Sequence, residues 1–235
     1  MDEKTSGGVI IYDSPESSDI LNDYDYGEKT KVPVEVIRKP LYDFAKRVFD
    51  IVVALICLTV GLPVYLIIAL AIVIDDPGNP LFVQTRVGKN GRKFRMVKFR
   101  TMCRDADNHK DELACHNECE SVHFKIKHDP RITRVGYFLR RTSLDETTQA
   151  VNLLTGTMTV IGPRAFVPEE QAQLPDDRLS VKPGLSCYWQ ITDTTKMSKE
   201  EQLELDYRYI QERGILTDLK LVFMTVKMIL RGGNC

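Results

Sequence analysis

Hydrophobic and polar positions change pattern sharply along this chain. Residues 51–74, IVVALICLTVGLPVYLIIALAIVI, are 24 consecutive uncharged positions. At about 1.5 Å of rise per residue they predict a helix about 36 Å long, enough to cross a hydrocarbon core of about 30 Å. Pro63 falls in the middle and predicts a kink, because proline removes a donor and clashes with the preceding turn. Basic residues flank the segment on both sides. Arg38, Lys39, Lys46 and Arg47 precede it; Arg86, Lys89, Arg92, Lys93, Arg95, Lys98, Arg100 and Arg104 follow, with no acid between Asp76 and Asp105. Lys and Arg favour the cytoplasmic side, so two basic ends frustrate a single crossing and suit a helix that enters, bends and returns. The re-entrant arrangement is favoured, with a single crossing as the alternative. A bend frees backbone groups that need local partners, and Thr59 is placed to supply one.

The pattern then changes period. Phe82–Val87 and Phe94–Phe99 are short runs rich in strand formers, separated by Gly88-Lys89-Asn90-Gly91, which predicts a β-hairpin. Its basic side chains suit either anionic lipid or bound phosphate. After Arg131, Arg134, Arg140 and Arg141, a helix is expected to start at Thr142-Ser143, with Asp145 and Glu146 in its first turn. Ala150, Val151, Leu153 and Leu154 give that helix its apolar face. Met158–Ile161 reads as a short buried strand ending at Gly162-Pro163-Arg164. Two further helices are expected over 199–212 and 217–230. The last sets Leu219, Val222, Phe223, Val226, Ile229 and Leu230 at helical spacing, a face for the core or for a membrane interface.

Charge divides the chain. Residues 1–37 hold nine acids and three bases, so the net of −1 conceals an acidic head and a basic remainder. With little apolar periodicity, that head reads as a solvated acidic tail. The composition, 43 % hydrophobic and 28 % charged, excludes a wholly disordered chain. Six cysteines in 235 residues are no secreted disulfide framework, and no signal-peptide pattern opens the chain, so reduced thiols facing the cytosol are expected. All four histidines fall in 105–128. There Cys115, Cys119 and His123 share a helical face that could take zinc, but the spacing is not a standard zinc pattern and a solvated helix or loop is the favoured reading.

The chemistry concentrates at Asp145-Glu146. By pattern, Ser143-Leu144-Asp145-Glu146 is a capping box, in which Ser143 caps and Glu146 bonds back. The surroundings offer an alternative. Adjacent carboxylates among at least four arginines, at a helix start whose dipole favours ionisation and downstream of a membrane insertion, are a kit for attacking phosphorus. A hard cation and arginines neutralise phosphate oxygens, and a carboxylate is the nucleophile.

From about Lys46 to Leu230 the sequence resembles the bacterial sugar transferase family, the monotopic polyprenyl-phosphate phosphoglycosyl transferases that begin capsule, exopolysaccharide and glycoprotein glycan assembly. The resemblance rests on Lys46-Arg47-x-x-Asp50, Val97-Lys98-Phe99-Arg100-Thr101-Met102, Asp129-Pro130-Arg131-Ile132-Thr133 and Leu139-Arg140-Arg141-Thr142-Ser143-Leu144-Asp145-Glu146. It continues in Ile161-Gly162-Pro163-Arg164, Val181-Lys182-Pro183-Gly184-Leu185 and Leu205-Asp206-Tyr207. The chain resembles the family's short form, preceded by an acidic tail. It departs at Cys187–Thr194, where the family usually carries a Gly-Arg, at Ala165 in place of a proline, and at Leu62 in place of a serine.

The resemblance implies an α+β, helix-rich monotopic membrane enzyme with a re-entrant hydrophobic helix, a β-hairpin and amphipathic interfacial helices. The expected divisions are the tail at 1–37, the membrane helix region at 38–75 and a cytosolic catalytic domain at 76–235, at the bacterial inner membrane. Mg²⁺ is implied as cofactor, bound by Asp145 and Glu146, with Asp145 as nucleophile carrying a covalent phosphosugar. The expected substrates are a nucleotide-diphosphate sugar, with a UDP-sugar as the favoured form, and a polyprenyl phosphate; glycan-assembly proteins are candidate partners and nucleic acid is not. Arg86, Lys98, Arg100, Arg140, Arg141, Arg164 and Asp206 are the candidate phosphate- and substrate-binding residues. An inactive, lipid-phosphate-binding scaffold of the same family is the alternative.

Overall fold

The computed structural model describes residues 39–104, 106, 129–191 and 198–230. The acidic tail and the His/Cys-rich segment, with its candidate zinc face, lie outside the described residues.

The apolar segment forms the core of α1, Pro40–Asp75, a single helix of 36 residues that carries Pro63 inside it. Of its most apolar 18 residues only 11 % are buried, which separates it from the core helix of a soluble protein. Leu41, Phe44, Val52, Ile56, Val60, Ile67, Leu70 and Ile74 are all exposed along it. The helical assignment runs through the proline without a break. Thr59 does not serve the carbonyl that Pro63 leaves unpaired; its hydroxyl donates backwards to the carbonyl of Leu55 at 2.7 Å, a bond that bends helices. Gly61 has no Cβ because the ring of Tyr65, one turn on, lies against that position.

Both ends of α1 are tied to the same body. At its start, Lys39 donates to the carbonyl of Arg213 at 2.7 Å and Lys46 pairs with Asp218 at 2.5 Å. Arg47 donates to the carbonyls of Leu153 and Leu154, and Asp50 accepts from the Thr159 hydroxyl and the Val160 amide, both at 2.9 Å. At its end, Asp75 accepts from the Val135 amide at 3.0 Å, and Asp76 pairs with Arg100 at 2.6 Å. Between these, Ala54 packs with Met96, Leu153 and Met158, while Ile68 and Ile72 pack with Phe99 and Leu139.

The hairpin forms as the pattern predicts: β1, Leu81–Val87, pairs antiparallel with β2, Lys93–Phe99, and Arg86 lies opposite Phe94 and Phe82 opposite Lys98. The turn takes left-handed φ at Asn90 and Gly91. α2, Arg134–Arg141, is an element the periodicity did not predict. Gly136 lets it settle directly on the Thr101 carbonyl, where any Cβ would collide. The expected helix start at Ser143 is not one. Ser143 has φ 56 and ψ 18, left-handed, and no side-chain cap bond; Leu144–Gln149 is 3-10, and α3 covers only Ala150–Thr155. The capping box that does form lies at Ser198 and Glu201, opening α5, Lys199–Glu212.

β3, Thr159–Ile161, and β4, Gly184–Ser186, pair in parallel, with the short α4, Pro168–Gln171, in the connection. α6, Ile215–Leu230, closes the described chain. Its Leu221, Met224 and Met228 pack with Ile161, Tyr188, Ile191 and Tyr209. The opposite face, Leu216, Leu219, Phe223, Val226 and Leu230, is exposed, as are Tyr137 and Phe138 of α2. The fold is thus helix-rich α+β with one long apolar helix, as the sequence implies.

Candidate active site

Strand alternation places the first cations. Side chains two apart share a face, and the register sets Arg86 of β1 and Lys98 of β2 on the same face of the hairpin, beside Met96. The backbone leaving β2 carries Thr101 under α2, where the Thr101 hydroxyl accepts from Arg140 Nε at 2.9 Å. This fixes Arg140 in the last turn of α2, one tight left-handed residue before the acid pair. The 3-10 segment lies against β2, with the Thr148 hydroxyl donating to the Val97 carbonyl at 3.2 Å.

Asp145 is 7 % exposed, and among the described residues its carboxylate forms no ion pair. Burial pushes its pKa up to about 6, the neighbouring Glu146 adds to the rise, and Lys98 and Arg140 oppose it. Lys98 is pushed down to about 8 by burial, against the pull of Asp145 and Glu146. Arg86 is pushed down to about 10, by burial first and then by Arg164. Its buried Nε has no hydrogen-bond partner among the described residues. A buried acid beside cations that are not paired to it, with an orphaned guanidinium nitrogen, is an arrangement that a polyanion would complete.

Arg164 is held from behind. Its guanidinium lies 5.4 Å from the Trp189 ring centre, and its carbonyl accepts from Arg178 at 2.6 Å. Arg178 also pairs with Asp206 at 2.7 Å and with Gln171, and Trp189 donates to the other Asp206 oxygen at 3.3 Å. Asp206 is 2 % exposed and fully engaged there. It therefore sits in a buried brace under the Arg164 loop.

Two more candidates fall elsewhere. Arg100 is bound to the side chain and carbonyl of Asp76 and anchors the end of α1. Arg141 is exposed at the end of α2. The structure therefore groups Asp145, Glu146, Lys98, Arg86, Arg140 and Arg164, places Asp206 behind Arg164 through Arg178, and sets Arg100 and Arg141 apart. It adds the Asp129–Arg131 pair, joined at 2.6 Å and acting electrostatically on Arg140, and Glu170, 3.6 Å from Arg86. The Asp129-x-Arg131 spacing was visible in the sequence. The arrival of Glu170 beside Arg86 depends on tertiary contact alone.

Among the described residues no group of three His, Cys, Asp or Glu side chains could hold a metal unaided. Asp145 and Glu146 offer a hard, two-carboxylate donor set. Mg²⁺ is commonly held by one or two carboxylates with substrate phosphates and water supplying the rest, so the residues fit a metal that arrives with a phosphorylated substrate.

An acid pair beside basic side chains stands on a body with one long exposed apolar helix, which fits association with a membrane. The chain belongs to the bacterial sugar transferase family, whose model matches residues 41–232. It is 40 % identical over 195 residues to the galactosyl transferase CpsE of Streptococcus agalactiae, covering 80 % of this chain and 42 % of that protein. It is 39 % identical over 207 residues to the UDP-glucose:undecaprenyl-phosphate glucose-1-phosphate transferase of Escherichia coli, with 80 % and 42 % covered. It is 34 % identical over 200 residues to the exopolysaccharide production protein ExoY of Rhizobium meliloti, with 81 % and 88 % covered. The chain thus spans about two fifths of the first two relatives and most of the third.

Proposed function

We propose that this chain is a phosphoglycosyl transferase that moves a sugar 1-phosphate from a UDP-sugar to a polyprenyl phosphate, opening assembly of an exported glycan. The observation that carries the reading is the buried Asp145 carboxylate, without an ion pair among the described residues yet flanked by Lys98 and Arg140. A carboxylate in that setting is ionised above about pH 6 but poorly stabilised, which suits a nucleophile. Asp145 attacks the sugar-bearing phosphorus; a P–O bond of the diphosphate breaks, and UMP leaves with the electron pair. An acyl phosphate now links the sugar to Asp145. An oxygen of the polyprenyl phosphate, already ionised at neutral pH, attacks the same phosphorus and returns the free carboxylate. Lys98, Arg86, Arg140 and Arg164 hold the phosphate oxygens through both displacements. Mg²⁺, held by Asp145 and Glu146, would supply charge neutralisation of the diphosphate.

The finer placement belongs to the same proposal. α1 enters and leaves one leaflet from the cytosolic side, so that the body from residue 76 onward works at headgroup level. The bonds from both ends of α1 to that one body support this, because a crossing helix would put its ends on opposite sides. The exposed apolar faces of α2 and α6 support an interfacial seat.

The test is mass spectrometry of the intact protein with a UDP-sugar and Mg²⁺ but no lipid. One phosphosugar mass should appear, disappear on adding polyprenyl phosphate, and be absent in Asp145→Asn. Intersecting double-reciprocal lines without an adduct would instead establish a ternary-complex displacement. No UMP release from any UDP-sugar would favour the scaffold alternative.

A further inference from the structure

A second basic pocket lies apart from the acid pair, where the first turns of α1 meet the hairpin tip and the strand before β4. Its volume is about 180 Å³, and it is lined by Lys46, Arg47, Lys89, Lys182 and Arg213 against Asp43 and Asp50, with Asp145 and Glu146 absent from its walls. Several of these charges are already committed. Lys46 is paired with Asp218, and Arg213 with Asp43. Asp50 has one oxygen occupied by Thr159 and Val160. Among the described residues Arg47 has no carboxylate partner: its guanidinium donates to the carbonyls of Leu153 and Leu154. Lys89 and Lys182 have no ion pair among the described residues. Three cations therefore converge on the pocket; burial first and then the like charges of Arg47 and Lys89 press on Lys182, opposed by Asp50 and by Asp43, which is itself paired with Arg213. Such repulsion is relieved by an anion.

Size narrows the class. A volume of about 180 Å³ lies below the usual range of about 300–1,000 Å³ for a drug-sized ligand. A phosphate group with a small alcohol fits; a nucleotide sugar does not. The pocket face of α1, with Tyr42, Lys46 and Asp50, lies opposite the exposed Leu41, Phe44, Val48 and Val52. That sets it about one helix diameter, some 10 Å, from the apolar surface.

We propose that this pocket is a phosphate-binding site, separate from the acid pair, that takes the phosphate of an anionic lipid headgroup or of a small soluble phosphate ester. The inference stands on the pocket alone and holds whether or not the transfer reaction does.

The test uses the full chain in phosphatidylcholine nanodiscs, with amine acylation of each lysine read by peptide mass spectrometry. Inorganic phosphate at ~10 times its dissociation constant leaves about a tenth of sites open, so acylation of Lys182 should slow about tenfold. Lys93, exposed on β2, should be unaffected. Lys89→Gln, an exposed hairpin-tip change that leaves the fold intact, should weaken the protection of Lys182. Exchanging part of the phosphatidylcholine for phosphatidylglycerol separates the sources. Protection by both phosphate and phosphatidylglycerol supports a headgroup site; protection by phosphate alone supports a soluble ester. Unchanged Lys182 reactivity in both arms overturns the proposal, as does protection that survives Lys89→Gln undiminished.

Discussion

Replacing Asp145 with Asn should abolish turnover and make the protein more stable. Burial raises the Asp145 pKa to about 6, against about 3.9 for an unfolded chain. Between those values the folded state binds more protons than the unfolded one, so stability falls as pH rises through the window from about 4 to 6. At 1.36 kcal/mol per unit, the ionised carboxylate costs about 3 kcal/mol above pH 6. Asn mimics the neutral form and escapes that cost. For a chain of this size the gain corresponds to an upward shift in Tm of about 6–12 °C. The assay is thermal unfolding of wild type and Asp145→Asn in the same nanodiscs, with a chelator present, from pH 4 to pH 8. The two curves should coincide near pH 4 and separate as pH rises. An Asn variant no more stable than wild type at pH 8, or a difference independent of pH, would refute the reasoning.

Three further outcomes are expected. The pH profile of kcat/KM should rise through about 6, as Asp145 loses its proton, and fall above about 8, as Lys98 loses its own; initial UMP-release rates across pH check both limbs. Arg178→Ala should cost about 3–5 kcal/mol by leaving Asp206 buried and unpaired, whereas Arg178→Met with Asp206→Leu should recover most of the Tm yet stay slow, because the Arg164 loop loses its brace. Ser143→Val should cost about 1–2 kcal/mol at a left-handed position and lower turnover, measured by unfolding and UMP release side by side.

What the sequence could and could not reveal follows from the range of the interactions. Arg86 and Lys98 come together through strand period and a two-residue Asn-Gly signal, both local, so the hairpin and its basic face were readable. The exposed stripe of α1 was equally readable, because bilayer thickness acts on a continuous run. Ser-x-x-Glu occurs at both Ser143 and Ser198, but only Ser198 caps. At Ser143 the preceding α2 runs up to Arg141, and the chain must reverse within two residues, which a left-handed residue does and a cap does not. Asp206 lies in a brace that the sequence did not foretell. Its partners Arg178 and Trp189 lie 28 and 17 residues away, and no spacing rule connects them.

The double anchorage of α1 bears on how this protein comes apart. A helix held at Lys39–Asp50 and again at Asp75–Asp76 by one body cannot be withdrawn from lipid while that body stays intact. Extraction and unfolding are then a single cooperative event, unlike the independent insertion and later packing expected of bundled spans. A detergent that fails to cover the exposed stripe of α1 should therefore act as a denaturant, with fold and turnover lost together at one detergent concentration.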